Sequence, residues 1–302
     1  MSSVADRTDL ATTARGDYGG HSMIAPLKRV IVRRPTIPAT GEEWRALGYL
    51  HQVDQVRAEE EHYAFRSLIA AHGIEVIEAG PDMQGELDAI FPYDPSIMTD
   101  NGAILLRPGK KLRLREVGFA EETYARLVIP ILGRIESPGT VEGGDTMWLD
   151  EQTLAVGRGY RTNAEGIRQL SEILGGIGVT VLAFDLPHFN GPAECLHLLS
   201  LISPVADKLA VVYPPLMAVS FIETLRAFGW NLVDIAEEEF ATQASNVLAI
   251  APGRLIMLDG NPVTRKRLEF WGCEVETYSG EEISFNRFGG PTCLTRPILR
   301  VG

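Results

Sequence analysis

Cysteine is scarce in this chain, with three residues among 302. An odd, scattered set without a close pair excludes a disulfide framework and points to a reducing, cytoplasmic setting. No run of eighteen apolar residues occurs, which excludes a helical membrane span. Basic residues are outnumbered, 28 Lys and Arg against 40 Asp and Glu, giving a net charge of -12. That balance argues against nucleic-acid binding and suits a small cationic substrate. The chain has no Gly-x-Ser-x-Gly elbow. It has no phosphate-binding P-loop either, because the stretch from Gly102 to Lys110 lacks the Gly-Lys-Ser/Thr ending. Metal-ligand spacings are missing: Cys195 and His197 alternate onto one expected strand face, and two ligands do not make a site. Neither a metal nor an organic cofactor is expected. The first twenty residues hold no apolar core, so they are not a secretory signal, and residues 1–20 are expected to be a disordered tail.

What the chain does contain is a repeat. An amphipathic helix, a glycine and a short apolar strand recur around Gly73, Gly175 to Gly178, Gly229 and Gly272. A shorter, weaker copy is Ile131-Leu132-Gly133-Arg134-Ile135, where Pro130 interrupts the preceding helix. In the clear copies glycine stands where a helix end wants a left-handed residue. Helix starts are legible at Thr162-Asn163-Ala164-Glu165, a capping-box pattern, at Pro214-Pro215 and at Asn261-Pro262. A longer helix is expected near residues 43–72. Five units about 40–60 residues apart suit a ring whose strand ends converge at its centre. An ordinary α/β sheet produces the same recurrence. No linker divides the units, so residues 21–302 are read as one domain.

Polar residues interrupt the apolar setting after each repeat strand. They are Asp88 and Asp94, then Glu142-Gly143-Gly144-Asp145, then His197, then Ser245-Asn246, and last Gly289-Gly290-Pro291-Thr292-Cys293. Each has an ordinary reading. His197 is a satisfied core residue in a nearly all-apolar strand, Glu142 and Asp94 are turn residues, and Cys293 is an inert buried thiol. Taken together they supply a nucleophile, an imidazole, a carboxylate to orient it and further carboxylates to hold a cation.

From about Val30 onward, these motifs in this order resemble the guanidino-group-modifying superfamily, whose fold is the five-bladed α/β propeller, or pentein. Within it the pattern is similar to the dimethylarginine dimethylaminohydrolases. The resemblance implies five ββαβ-type repeats around a central active site. It implies Cys293 as nucleophile, His197 as general acid/base and Glu142 as its orienter. Asp94 and Asp88 are then guanidinium contacts, and Arg113 and Arg161 hold an amino-acid carboxylate. For both arginines, structural ion pairs are the alternative. Asp145 contacts the substrate's polar end or supports its turn. The implied reaction is hydrolysis of a guanidino group through a covalent thiouronium, giving a ureido product and ammonia or an alkylamine.

Two positions depart from the family pattern. Tyr93 stands where the methylarginine hydrolases typically carry Glu. Leu199 stands where deiminases and amidinotransferases carry Asp, and where the methylarginine hydrolases commonly carry Lys. Amidino transfer, arginine deimination or dihydrolysis, and a non-catalytic binding role on the same fold are the competing functions. A homodimer is the commonest assembly for such a chain. The segment from Gly16 to Ala39 is a candidate cover for the substrate channel.

Overall fold

The computed structural model describes residues 16–36, 43–80, 85–192 and 196–301. Its architecture is five small sheets of three strands each. One sheet is β3 (Ser96–Thr99), β4 (Gly102–Leu105) and β5 (Ile131–Arg134). The next is β6 (Thr146–Asp150), β7 (Thr153–Arg158) and β8 (Thr180–Asp185). The third is β9 (Ile202–Ala206), β10 (Leu209–Val212) and β11 (Asn231–Asp234). The fourth is β12 (Val247–Ala251), β13 (Arg254–Leu258) and β14 (Glu274–Tyr278). The fifth joins the two ends of the chain: β15 (Arg296–Arg300) pairs antiparallel with β1 (Leu27–Val32), which pairs parallel with β2 (Glu75–Glu78).

Every sheet repeats one plan, an antiparallel pair followed by a parallel third strand, and in four of the five the antiparallel pair is a hairpin. A parallel partner needs a crossover, and a helix supplies it. The helices are α2 (Gln55–Ala71), α3 (Leu114–Arg126), α4 (Ala164–Gly175), α5 (Val219–Ala227) and α6 (Pro262–Phe270), after a short α1 (Glu43–Leu47). Each turns an apolar stripe inward; α4, for example, buries Ile167, Leu170 and Leu174 against Trp148, Leu154 and Val156. The first strands β3, β6, β9 and β12 are buried almost throughout, while β8 and β11 are half open. Strands covered on both faces read as unbroken apolar runs rather than alternating ones. The fold is thus the five-bladed pentein propeller, and β3, β6, β9, β12 and β15 are the strands that carry site residues at their leading ends.

Several local expectations are corrected. The helix expected over 43–72 is two helices, broken at Gly48, whose φ is 88°. Asn163, not Thr162, caps α4, accepting from the Gly166 amide at 2.8 Å. In the clear copies the left-handed glycine is Gly73, Gly178, Gly229 or Gly272. In the weak copy Gly133 lies inside β5, and Val128 takes the left-handed position at φ 57°. The expected tail is also drawn too long at its inner end. Gly19 donates to the Ile298 carbonyl at 2.7 Å, and Gly20 donates to Asp100 at 2.7 Å. Residues 1–15, and Cys195, lie outside the described residues. Among the described residues no helix is long and apolar enough to cross a membrane.

Candidate active site

Each blade presents a turn just ahead of its first strand, and the five turns meet. Asp94 precedes β3, Glu142 to Asp145 precede β6, His197 precedes β9, Asn246 precedes β12 and Cys293 precedes β15. His197 is therefore not a strand residue. It stands before a tight turn over Leu198–Ser200, and its amide donates to the Ser200 hydroxyl at 3.1 Å.

Asp94, Gly144, His197, Leu199, Asn246, Arg287 and Cys293 are among the residues lining one cavity of about 30 Å³ at this junction. The imidazole of His197 is held from behind: its Nε2 lies 2.7 Å from Glu142 Oε2. Glu142 is fully buried, and its Oε1 accepts from the Gly109 amide at 3.0 Å, the Lys110 amide at 3.4 Å and Arg161 Nη1 at 3.4 Å. Burial works to raise this carboxyl's pKa, but the His197 bond and charge and the Arg161 guanidinium outweigh it and hold the group ionised, below the usual carboxylate range. An ionised acceptor on Nε2 fixes the proton there and leaves Nδ1 as the basic nitrogen. Nδ1 faces Gly144, where an added Cβ would come within 2.5 Å of it. At Gly143 an added Cβ would meet the Tyr93 carbonyl oxygen at 2.1 Å. The two glycines of the Glu-Gly-Gly-Asp motif are what let the backbone pass beneath the ring.

Asp94 lies on the cavity wall with Oδ1 on the Gly144 amide at 2.9 Å and Oδ2 on Arg113 Nη1 at 2.5 Å. Burial acts to raise its pKa too, yet Arg113 and then His197 pull it below the ordinary value. Cys293, half-buried, receives a hydrogen bond from Asn246 Nδ2 at 3.3 Å. Asn246 Oδ1 accepts from the Thr292 amide at 3.1 Å, which locks the carboxamide in that orientation. Ligand atoms of Asp94, Glu142 and His197 lie within 4.8 Å of one another, a spacing that suits a cation. Here the Nε2 proton and the Arg113 guanidinium already supply positive charge to both carboxylates.

Other expected site residues fall elsewhere. Asp145 is fully buried, with Oδ2 on Thr162 Oγ1 at 2.7 Å and Oδ1 on the Leu198 amide at 3.0 Å. It supports the turn that carries His197, the second of its two expected roles. Burial pushes its pKa up to about 6, more than its hydrogen bonds pull it down. Asp88 pairs with Lys110 Nζ at 3.0 Å and Arg287 Nε at 3.2 Å and does not line the cavity, so its guanidinium contact is not reproduced. Arg113 forks onto Glu116 at 2.7 and 2.8 Å while gripping Asp94. It is 4% exposed, so its expected carboxylate role gives way to the structural ion pair. Arg161 also turns inward, onto Glu142. Asn246 and Arg287 are site residues that the sequence motifs do not assign; the signal for Asn246 is its place in the fourth polar interruption. Arg287 follows an ordinary polar stretch and carried no signal.

The family model for N,N dimethylarginine dimethylhydrolase, eukaryotic, matches residues 39–260. The chain belongs to the dimethylarginine dimethylaminohydrolase family. That family acts as C–N hydrolases on amidines. The chain is 30% identical to the N(G),N(G)-dimethylarginine dimethylaminohydrolase of Pseudomonas aeruginosa over 275 residues, 89% of this chain and 98% of that one. It is also 30% identical to the enzyme of that name from Streptomyces coelicolor over 249 residues, 82% of this chain and 89% of that one. Among solved structures, a cysteine-to-serine variant of the Pseudomonas aeruginosa dimethylargininase complexed with citrulline has a TM-score of 0.74 and 27% identity, covering 91% of this chain and 100% of that one. The saxitoxin-pathway amidinotransferase of Microseira wollei, at TM-score 0.78 and 17% identity over 94% of this chain and 98% of its own, shares the fold.

Proposed function

We propose that this dimethylargininase-family chain hydrolyses the guanidino group of a methylated arginine, with Cys293 as nucleophile and His197 as acid and base. The observation that carries the reading is the convergence of Cys293, Asp94 and an imidazole backed at 2.7 Å by Glu142 on one small cavity. Asp94 offers a carboxylate to a planar guanidinium beside the thiol. The Cys293 thiol gives its proton to His197, and the sulfur attacks the central carbon, forming a C–S bond. The C–N bond then breaks, and the imidazolium gives its proton to the departing amine. Water, deprotonated by His197, adds to the thiouronium carbon; the C–S bond breaks, and the ureido product leaves the thiolate behind. Glu142 orients the ring and stabilises its charged form in both halves.

Phe91 and Leu199 add apolar surface to the cavity wall, which suits N-methyl groups better than a bare guanidinium. Arg287, on the same wall, is the cation placed to meet a substrate carboxylate. The test is product detection by mass spectrometry with arginine, mono- and dimethylarginine, agmatine and short guanidino acids, each with and without an amine acceptor. Citrulline from methylarginine that vanishes in Cys293→Ser is the expected result. Amidino transfer to the acceptor, or full activity in Cys293→Ser, would sink the reading.

A further inference from the structure

A covalent intermediate poses a problem of traffic. Once the C–S bond forms, the rest of the substrate stays attached to Cys293 in the cavity. The freed amine must leave, and one water must arrive, before the second half-reaction. Further cavities lie behind the site. The first strands β3, β6, β9 and β12 start at the site and end in hairpin turns at the opposite face, about 15 Å away at strand rise. At that face lies a cavity of about 330 Å³, bounded by Gly16 to Ala25 and by the hairpin turns at Asp100, Asp150 and Asp207. The segment that began as a candidate cover for the substrate channel thus borders the far mouth instead, as far as residue 25.

A smaller cavity of about 40 Å³ lies between the two ends. It shares Met23, Trp148 and Arg300 with the far cavity, and Tyr93 and Thr292 with the site cavity. Its other walls include Met98, Leu248, Ala249 and Pro297, which let a neutral amine or a water pass without stripping charge. The far mouth carries Asp100, Asp150, Glu151 and Asp207 against Lys208 and Arg300, a balance that favours an amine once it takes up a proton. Between the middle and site cavities stands Tyr93. The Arg296 guanidinium lies 3.7 Å from its ring centroid, and its hydroxyl meets Met23 Sδ at 3.8 Å. A thioether is a weak acceptor, so the hydroxyl is only loosely held, and the contact with Arg296 is the main restraint on the ring. Arg296 Nε, buried on the same wall, has no hydrogen-bond partner among the described residues and is a donor for a passing water or amine.

We propose that the propeller centre is a conduit for ammonia, small alkylamines and water behind the covalently held substrate, with Tyr93 and Met23 as its gate. The proposal rests on the hydrolase reading, and its test separates the two. Met23 is half-buried on the chain's own first segment, so it tolerates a larger side chain better than a core position does. Met23→Trp would fill the middle cavity. It should lower kcat for dimethylarginine by roughly tenfold or more, because departure of the amine becomes limiting. The loss should shrink for monomethylarginine and again for arginine, in order of leaving-group size. The covalent enzyme should accumulate in quenched samples and KM should fall along with kcat, while the thermal midpoint stays near wild type. Met23→Leu, which keeps the volume, should restore the rate. A Met23→Trp enzyme whose kcat is unchanged, or falls equally for all three substrates, overturns the conduit alone. Absence of any turnover by the wild-type protein overturns the hydrolase reading and the conduit with it.

Discussion

Glu142→Gln tests the centre of the site with almost no change of shape. Glu142 Oε2 faces His197 Nε2, whereas Oε1 faces the amides of Gly109 and Lys110 and the Arg161 guanidinium. A carboxamide has one acceptor oxygen and one donor nitrogen. Placing the oxygen toward His197 would set its NH₂ against those other donors. Placing it toward them sets the NH₂ against Nε2 and moves the imidazole proton to Nδ1, the nitrogen that must act as base. The crowded side wins by number of donors, so the variant should hold the wrong tautomer. General acid–base catalysis contributes about 10²–10⁴-fold, and kcat should fall by that order. Replacing a charge-assisted hydrogen bond should also cost about 1.5–3 kcal/mol of stability, visible as a lower midpoint in denaturant. Steady-state kinetics on methylarginine, paired with alkylation of Cys293 by iodoacetamide, separates the two effects: turnover collapses and the thiol still reacts. A kcat within about threefold of wild type, far short of the general acid–base range, would refute the assignment of His197 and its orienter together.

Three further perturbations follow from the same geometry. Gly144→Ala places a methyl group 2.5 Å from His197 Nδ1 and should abolish turnover while circular dichroism stays close to wild type. Asn246→Ala removes the donor 3.3 Å from the Cys293 sulfur; alkylation at neutral pH should slow by roughly tenfold or more, the worth of a hydrogen bond to a charged group. An unchanged alkylation rate would show that the carboxamide does not act on the thiolate. Asp145 has a folded pKa raised to about 6. Its contribution to stability is therefore full below the unfolded value near 4 and is lost as pH rises through 6, about 3 kcal/mol in all. Asp145→Asn should flatten the denaturation midpoint across that window, and a profile parallel to wild type would refute the shift.

The sequence carried more of the architecture than of the site. The helix–glycine–strand repeat was legible because each unit needs the same local chemistry: an apolar stripe, a left-handed stop and a β-branched run. It failed at Gly133 because Val128 takes the left-handed position at that helix end, and a propensity rule does not foresee a valine there. The long helix over 43–72 failed at Gly48 because strong helix formers flank the break on both sides. The residues brought to the cavity, Asp94, His197 and Cys293, were each visible as a polar interruption in an apolar segment. The buried supporters were harder to assign. Arg113 and a substrate-binding arginine look identical in sequence; only Glu116 one turn on and Asp94 across the blade decide its partners. Asn246 had a position in the repeat but no chemistry of its own until Cys293, 47 residues later, came beside it.

The partners of Arg113 and Arg161 also bear on how the site recognises a cation. Asp88, Asp94, Glu116 and Glu142 are matched by Lys110, Arg113, Arg161 and Arg287 in one buried network. The acidity of the whole chain is thus not concentrated at its centre; the cage is close to charge-balanced before anything enters. A guanidinium that docks on Asp94 adds an uncompensated positive charge to a small, poorly hydrated space. On the proposed mechanism, the cage answers with an anion at the nucleophile on its wall, Cys293. Substrate charge and nucleophile charge then arise together, so a neutral ureido compound entering the same cavity finds no such activation. The turnover-ending step follows from the same balance: a neutral product removes the cation that held the thiolate, and the centre returns to its resting charge.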